Sequence, residues 1–129
     1  MIETASVVDT YIAFWNEPDE ARRRAMLEEA FAPYARYIGP LVETEGHDGI
    51  AAMASRFKEN LAGYEIRRTS DVDAHHYVLR YTWQIVPPDG GEVFAAGVDF
   101  CELASDGRIG SVTMFLDVAP VGMGEHQNA

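Results

Sequence analysis

The chain has 129 residues, 47% of them hydrophobic, and a formal net charge of −11. This length is typical of one domain with a core and a modest cavity, and the negative charge argues against nucleic acids and anionic membrane surfaces as partners. The single cysteine excludes an internal disulfide, and the sequence predicts neither a membrane span nor a signal peptide, so we expect a cytoplasmic protein.

The first part of the chain predicts two helices. Apolar residues at helical spacing predict the first helix over Thr4–Asn16. A break follows, and the second helix is expected over Glu20–Phe31, with Asp19 or Asn16 as its N-terminal cap. The three arginines at positions 22–24 have acidic neighbours at pairing distance along the helix, which predicts a solvated and charge-balanced face.

The segment after the second helix is aromatic and is interrupted by Pro33 and Pro40. Proline removes a backbone donor and fixes the backbone, so this pattern predicts a loop followed by one or two short strands. A third helix is then expected to begin at Gly46 and to end at Ala62–Gly63, because its apolar residues recur every three or four positions.

Four long strands are predicted in the rest of the chain: Tyr64–Val72, His75–Val86, Val93–Leu103 and Arg108–Asp117. Turn residues typical of hairpins separate the last three strands, with Pro-Pro-Asp-Gly-Gly in one turn and Asp-Gly in the other. Helices segregated from such strands predict a single α+β domain over residues 1–119. Residues 120–129 are expected to form a flexible tail.

Two glycines, Gly97 and Gly110, lie inside predicted strands. Glycine within a strand weakens side-chain packing but allows bulges and strong bending. We therefore expect a curved antiparallel or mixed sheet whose concave face is covered by the three helices. Such an arrangement would enclose a cone-shaped cavity.

Asp99 is an unusual residue for the middle of a predicted strand. Side chains alternate between the two faces of a strand, which places Asp99 in mid-strand among Ala95, Gly97 and Cys101. A carboxyl group in such surroundings must be hydrogen-bonded, paired with a charge or held neutral. Asp99 is therefore the leading functional candidate, and a structural aspartate bonded to a neighbouring hydroxyl or amide is the alternative.

The opposite face of the same strands carries Val98, Phe100 and Phe115. These side chains would form an exposed apolar patch if that face were in contact with water. Patches of this kind usually mark protein interfaces, so we predict a homodimer formed through the outer surface of the sheet.

Several segments resemble one known group of proteins. They are VVDTYIAFWN in the first helix, Asp19, Arg22 and Leu27 in the second, Gly46 before the third, and LRYTW, GVDF and DGRIGSVTMFLD in the strands. Together they cover residues 4–117 and resemble the nuclear transport factor 2-like superfamily, in particular its SnoaL-like (polyketide cyclase-like) group. The resemblance implies a cystatin-like α+β fold but leaves the chemistry open, because one fold hosts many activities.

Two enzyme patterns of that superfamily place residues where this chain has Asp99. The ketosteroid isomerase-like pattern pairs a tyrosine on the first helix with a protonated aspartic acid on a late strand, matching Tyr11 and Asp99. Its general base would precede a proline, where this chain has Gly39. The polyketide cyclase-like pattern needs only one aspartate that moves a proton in an apolar cavity, and Asp99 matches it.

Two further patterns match less well. The limonene epoxide hydrolase-like pattern has an arginine where this chain has Gly97 and a second acid where it has Met114. The scytalone dehydratase-like pattern combines tyrosines with a histidine–aspartate pair, whereas His75 and His76 are expected near a turn. Neither chemistry is therefore favoured.

The leading functional hypothesis is cofactor-independent proton transfer, of the isomerase, cyclase or dehydratase type, on a small hydrophobic carbonyl compound. Asp99 would move the proton or donate to the developing oxyanion, and Tyr11 would be a second donor. The alternatives are a non-catalytic module that binds a hydrophobic small molecule and a structural dimer with a filled interior. Candidate wall residues of the substrate pocket are Phe14, Trp15, Phe31, Tyr34, Ile38, Met53, Phe57, Tyr81, Trp83, Cys101, Met114 and Leu116, with Tyr37 as a further aromatic candidate.

A metal site is not predicted. Asp71, Asp73, His75 and His76 are close in sequence, but adjacent histidines on a strand point to opposite faces and would chelate one ion poorly. The cluster instead predicts a polar turn. Phosphate-binding and nucleotide-binding motifs are not found either, so we expect no metal and no cofactor.

Overall fold

The computed structural model describes residues 4–120. Within that range the chain forms three helices, α1 to α3: Thr4–Asn16, Glu20–Ala30 and Gly46–Asn60. The same range contains seven strands, β1 to β7: Phe31–Gly39, Val42–Glu45, Glu65–Arg68, Asp73–His75, Val78–Val86, Ala95–Leu103 and Ile109–Val118. None of the helices in this range is long and apolar enough to cross a membrane. Residues 121–129 of the predicted tail lie outside the described residues.

The seven strands form one mixed sheet. Its order is β2-β1-β7-β6-β5-β3, and β4 pairs separately with β5. The strands β1 and β7 are parallel to each other, and the remaining pairs are antiparallel. This curved, unclosed sheet with three helices confirms the predicted α+β class.

Two glycines explain irregularities in the sheet. The pairing of β6 with β7 changes register between Ala96 and Gly97, and again between Glu102 and Leu103, where Gly110 lies opposite. A bulge adds an unpaired residue and increases the local twist, so both shifts bend the strands. The bulges predicted from Gly97 and Gly110 are therefore present.

The core lies between the helices and one face of the sheet. Helix α1 contributes five buried side chains to it: Val7, Val8, Tyr11, Phe14 and Trp15. Helix α2 begins at its Asp19 cap, whose side chain accepts a hydrogen bond from the Arg22 backbone N–H at 2.9 Å. From the sheet, Leu79, Tyr81 and Trp83 of β5 point into the same core, as the alternation along that strand predicts.

Three predictions about strands are corrected by the structure. Strand β1 begins at Phe31, directly after α2, where a loop was expected, and Pro33 lies within an irregular stretch of the β1–β7 pairing that tolerates a missing donor. The predicted strand His75–Val86 is divided by a tight turn in which His76 has a φ of 54°. The predicted strand Tyr64–Val72 is shorter and spans Glu65–Arg68.

The prediction of a fully solvated arginine face is wrong for Arg23. Its side chain is buried, and its guanidinium group donates to the carbonyl oxygens of Glu17 and Pro18 and to the Ser55 hydroxyl. These bonds satisfy carbonyl groups at the connection between α1 and α2 and tie that connection to α3. Arg24 behaves as expected, since it forms an exposed ion pair with Asp48 at 3.0 Å.

Candidate functional site

Asp99 lies in the middle of β6, on the face covered by the helices. Its side chain is only 4% exposed, and its neighbours on that face, Ala95 and Cys101, are buried as well. Phe100 and Glu102 point to the other side and are exposed, as alternation along a strand requires. The predicted placement of Asp99 in an apolar interior is therefore what the structure has.

Two donors on the neighbouring strand hold the Asp99 carboxyl group. The Tyr81 hydroxyl donates to Oδ2 at 2.8 Å, and the Trp83 indole Nε1–H donates to Oδ1 at 3.0 Å. Tyr81 is the direct cross-strand partner of Asp99, and Trp83 is the partner of Gly97. Side chains opposite each other on one face of an antiparallel pair are close enough to interact, so the β5–β6 register positions both donors.

Gly97 makes the Trp83 hydrogen bond possible. A Cβ atom at position 97 would lie 2.7 Å from Cζ2 of Trp83 and would overlap the Phe115 carbonyl oxygen. The indole therefore occupies the space that any other residue at this position would fill. An arginine cannot be accommodated here, which removes the limonene epoxide hydrolase-like arrangement.

The pKa of the Asp99 carboxyl group lies close to neutral pH. Burial raises the pKa of Asp99 from 3.8 to about 7, against the lowering effect of the hydrogen bonds from Tyr81 and Trp83. Both oxygens accept hydrogen bonds from protein donors, and this arrangement favours the carboxylate over the protonated acid. The geometry therefore suits a base more than a hydrogen-bond donor.

A cavity of about 220 Å³ adjoins Asp99. Helices α1 and α3 provide Tyr11, Ile12, Trp15, Met53 and Phe57, and the strands provide Tyr37, Val42, Ile66, Trp83, Ile85, Asp99 and Met114. A water molecule takes about 30 Å³ of liquid volume, so the space corresponds to roughly seven waters. It is smaller than most sites for drug-sized ligands.

Eight of the predicted site residues meet at this cavity: Tyr11, Asp99, Trp15, Tyr37, Met53, Phe57, Trp83 and Met114. Others lie nearby without lining it. The rings of Phe14 and Phe31 are buried and contact each other in the core, and Tyr81 and Cys101 are buried on the sheet. Leu116 packs at the edge of the same core.

Two predicted wall residues lie away from the cavity. Tyr34 is 63% exposed, and Ile38 follows the inward-pointing Tyr37 on β1 and therefore points to the other side. The prediction that these two residues line the pocket is corrected: alternation along β1 places both on the face opposite Ala35 and Tyr37, and the sequence did not predict that β1 begins at Phe31.

Four residues of the wall were not among the candidates: Ile12, Val42, Ile66 and Ile85. Ile12 belongs to the apolar stripe of α1 and could have been selected from helical spacing. The other three are aliphatic residues on short or edge strands. Their sequence pattern does not distinguish a cavity wall from ordinary core.

Two tyrosine hydroxyls face the cavity together with Asp99. Burial raises the pKa of both Tyr11 and Tyr37, and the negative charge of Asp99 raises each further, so both hydroxyls stay protonated. Within residues 4–120, neither hydroxyl donates a hydrogen bond to a protein acceptor. Both are therefore able to donate to a guest molecule.

Other chemically active groups do not add to this site. Burial raises the pKa of the Cys101 thiol, which opposes formation of a nucleophilic thiolate. His75 and His76 lie at an exposed turn, where their Nδ1 atoms are 3.0 Å apart. No group of three metal-binding side chains converges anywhere in the described part of the chain.

Comparisons with known proteins identify a family and solved structures that share this architecture. The model of the SnoaL-like domain matches residues 8–112. A solved structure of a candidate isomerase of the SnoaL-like family, from Agrobacterium tumefaciens strain C58, is 38% identical with a TM-score of 0.84, covering 91% of this chain and 99% of that one. No curated protein matches the chain at a significant level.

Two more distant structures share the fold. A SnoaL-like candidate polyketide cyclase from Jannaschia sp. CCS1 is 21% identical with a TM-score of 0.66, covering 88% of this chain and 87% of that one. A protein of unknown function with a cystatin-like fold, from Methylobium petroleophilum PM1, is 22% identical with a TM-score of 0.72, covering 92% and 78%. The family model spans most of the sequence, and the Agrobacterium protein is similar over nearly its whole length. This chain therefore belongs to the SnoaL-like family.

Proposed function

We propose that the protein catalyses cofactor-independent proton transfer next to the carbonyl group of a small hydrophobic compound, with Asp99 as the base. One observation carries the proposal: a buried carboxylate, held by two donors, opens onto an apolar cavity. Its pKa of about 7 is close to the value that makes a general base effective at neutral pH.

The chemistry needs no group beyond those at the cavity. The Asp99 carboxylate removes a proton from the carbon next to the substrate carbonyl, and the C–H electron pair forms the C=C bond of an enolate. The Tyr11 hydroxyl donates a hydrogen bond to the oxygen that gains negative charge. In a β,γ-unsaturated ketone the enolate is conjugated with the existing C=C bond, so its negative charge also reaches the γ-carbon. Asp99 returns the same proton to that carbon, which regenerates the carboxylate and gives the conjugated isomer.

Asp99 has to perform both proton transfers in this scheme. Gly39 stands where the ketosteroid isomerase-like pattern has its base, and within residues 4–120 no second carboxyl group or histidine lines the cavity. A Cβ atom at position 39 would lie 3.2 Å from Met114 and 3.5 Å from Tyr37, so packing side chains fill that place. The description of the Agrobacterium relative as a candidate isomerase supports the same reaction class.

A second candidate function is the binding of a hydrophobic small molecule without turnover. The nearly complete apolar lining of the cavity favours it, since among the described lining residues only Asp99 ionises near neutral pH. The two functions differ in one respect: only the enzyme accelerates exchange or migration of a proton on the ligand.

Conversion of 3-cyclohexen-1-one into the conjugated 2-cyclohexen-1-one tests the proposal with a compound small enough for the cavity. The ultraviolet absorption of the conjugated product reports the rate. We expect Asp99→Asn to lower kcat/KM by about 10²- to 10⁴-fold, the usual contribution of a general base. Glu102→Gln is the matched control, because Glu102 is an exposed acid on the same strand, and it should leave the rate unchanged.

Two results would contradict the proposal. An unchanged rate in Asp99→Asn would show that another group moves the proton. Binding of the ketone by the wild-type protein, without product formation and without exchange of its α-protons in D₂O, would instead support the binding function.

A further inference from the structure

The Tyr37 hydroxyl is a second tyrosine hydroxyl at the cavity, in addition to that of Tyr11. Tyr37 lies on β1, points to the helix-covered face and lines the cavity, where its ring contacts that of Trp15 at a centroid distance of 5.9 Å. Its side chain is only 7% exposed, yet within residues 4–120 its hydroxyl donates to no protein acceptor. Within residues 4–120 no fully buried side-chain N or O atom lacks a hydrogen-bond partner, so this hydroxyl is accessible from the cavity and can donate to a ligand there.

Tyr37 and Asp99 line the cavity from two strands that are not neighbours in the sheet. Strand β7 separates β1 from β6, and Met114 of β7 is the cross-strand partner of Asp99. Neighbouring strands are about 4.8 Å apart, so the backbones carrying Tyr37 and Asp99 are separated by about 10 Å. The cavity that both residues line has a volume of about 220 Å³, which is enough for a ligand of about one ring.

Charge restricts the ligand further. Among residues 4–120, no Lys, Arg or His side chain lines the cavity, so an anionic ligand would be buried beside the Asp99 carboxylate with no counter-ion from this part of the chain. A cationic ligand could pair with Asp99, but it would offer no acceptor to the hydroxyls of Tyr11 and Tyr37. An uncharged molecule with an acceptor oxygen satisfies all three groups.

We propose that Tyr37 and Tyr11 together hold the carbonyl oxygen of the substrate opposite Asp99, and that the site selects uncharged carbonyl compounds of about one ring. This inference rests on the proposed function for its account of turnover, but it makes a separate statement about binding. Tyr37 is a second donor to the oxygen, and its hydrogen bond strengthens as the enolate forms.

The test compares Tyr37→Phe with Tyr34→Phe. The first substitution removes only the hydroxyl and keeps the ring that contacts Trp15, and the second makes the same change on the same strand at an exposed position. The probe is 2-cyclohexen-1-one labelled with ¹³C at the carbonyl carbon, and isotope-edited infrared spectroscopy measures the C=O stretching frequency of the bound molecule. Hydrogen bonds to the oxygen lower that frequency.

We expect the wild-type protein and Tyr34→Phe to lower the frequency equally, and Tyr37→Phe to lower it less while binding the probe about tenfold more weakly. An unchanged frequency and affinity in Tyr37→Phe would overturn the role of Tyr37. Asp99→Asn separates the two proposals, because it should abolish turnover and keep the carbonyl shift. Loss of the shift in Asp99→Asn with turnover intact would refute both.

Probes of equal size test the charge selection. Cyclohexylammonium and cyclohexanecarboxylate have one ring and opposite charges, and isothermal titration calorimetry at pH 7.5 compares both with 2-cyclohexen-1-one. We expect binding of the neutral ketone at least tenfold tighter than that of either ion. Tighter binding of the ammonium ion would overturn the inference and assign the site to cationic ligands held by Asp99 and the aromatic walls.

Discussion

Each face of the sheet carries side chains that usually lie on the other kind of face. An acid is buried on the inner face, and aromatic residues are exposed on the outer face. On β6, Asp99 is an acid on the helix-covered face and is 4% exposed, whereas the next residue, Phe100, is an aromatic residue on the outer face and is 41% exposed. Phe115 of β7 lies beside Phe100, with ring centroids 5.9 Å apart, and is 54% exposed. Both placements cost free energy in a single chain.

The two costs are compensated differently. Inside, the Tyr81 and Trp83 donors offset part of the cost of burying Asp99, and what remains appears as the raised pKa of its carboxyl group. Outside, nothing within the described chain covers Phe100 and Phe115. A second copy of the chain would cover them, and we propose that the inner face is the site of chemistry and the outer face a dimer interface.

The largest expected effect concerns the stability of the inner face. The pKa of Asp99 is 3.8 when unfolded and about 7 when folded, so between these values the native state holds a proton that the unfolded state has lost. Stability contributed by this group is thus complete below pH 3.8 and declines as the pH rises through 7. We expect the wild-type protein to lose up to about 4 kcal/mol relative to Asp99→Asn between pH 4 and pH 8.

Urea unfolding of both proteins across this pH range measures the difference. The other carboxyl groups are common to the two proteins and cancel. The remaining buried titratable groups on this face, Tyr11, Tyr37, Tyr81 and Cys101, have pKa values raised by burial and stay neutral. A difference in unfolding free energy that is independent of pH would show that Asp99 does not titrate near neutrality.

The next effect tests the outer face. Phe100→Glu would place a charge at the centre of the patch formed by Val98, Phe100 and Phe115, and we expect it to weaken a dimer at least 30-fold, as loss of a central aromatic contact does. Sedimentation velocity measures the change. Leu41→Glu is the control, because Leu41 is 76% exposed in the turn between β1 and β2. If Phe100→Glu stays as dimeric as the wild-type protein, this patch is not the interface.

Helical spacing and strand alternation were sufficient to predict the main elements. They gave the C-terminal end of α1 at Asn16 and the correct face for Asp99, since both periods are set by local backbone geometry. Features that depend on partners distant in sequence were not predictable in the same way. Arg23 is buried because its guanidinium group reaches Ser55 on another helix, and no pattern within α2 contains that information.

For the site as well, the position of Asp99 could be predicted from the sequence, whereas the side chains that contact it could not. Asp99 stands out in the sequence because of its neighbours on its own strand. Its donors depend on the register between β5 and β6, which brings Tyr81 and Trp83 to the carboxyl group. Tyr34 and Tyr37 are equally aromatic in the sequence. Alternation along β1 places them on opposite faces, so Tyr37 lines the cavity and Tyr34 is exposed, but the bounds of β1 that make this alternation apply were not predicted.

The smallest expected effect is on the pKa of Asp99, and it tests the contribution of one of the two hydrogen-bond donors to the carboxyl group. Trp83→Phe keeps an aromatic ring in the cavity wall but removes the N–H that donates to Asp99 Oδ1. That bond stabilises the ionised form, so its loss should raise the pKa of Asp99 further. A hydrogen bond to a charged group is worth about 1.5–3 kcal/mol, which corresponds to a shift of about one to two pH units.

The pH dependence of the ketone isomerisation measures this shift. A base must be ionised to act, so kcat/KM of the wild-type protein should rise with pH to a plateau, with a midpoint near 7, and the midpoint of Trp83→Phe should lie higher. Trp15→Phe is the comparison, because Trp15 lines the same cavity without a hydrogen bond to Asp99, and it should leave the midpoint in place even if it changes KM. Equal midpoints in all three proteins would mean that the indole N–H does not tune the base. The link between cross-strand register and catalysis would then depend on Tyr81 alone.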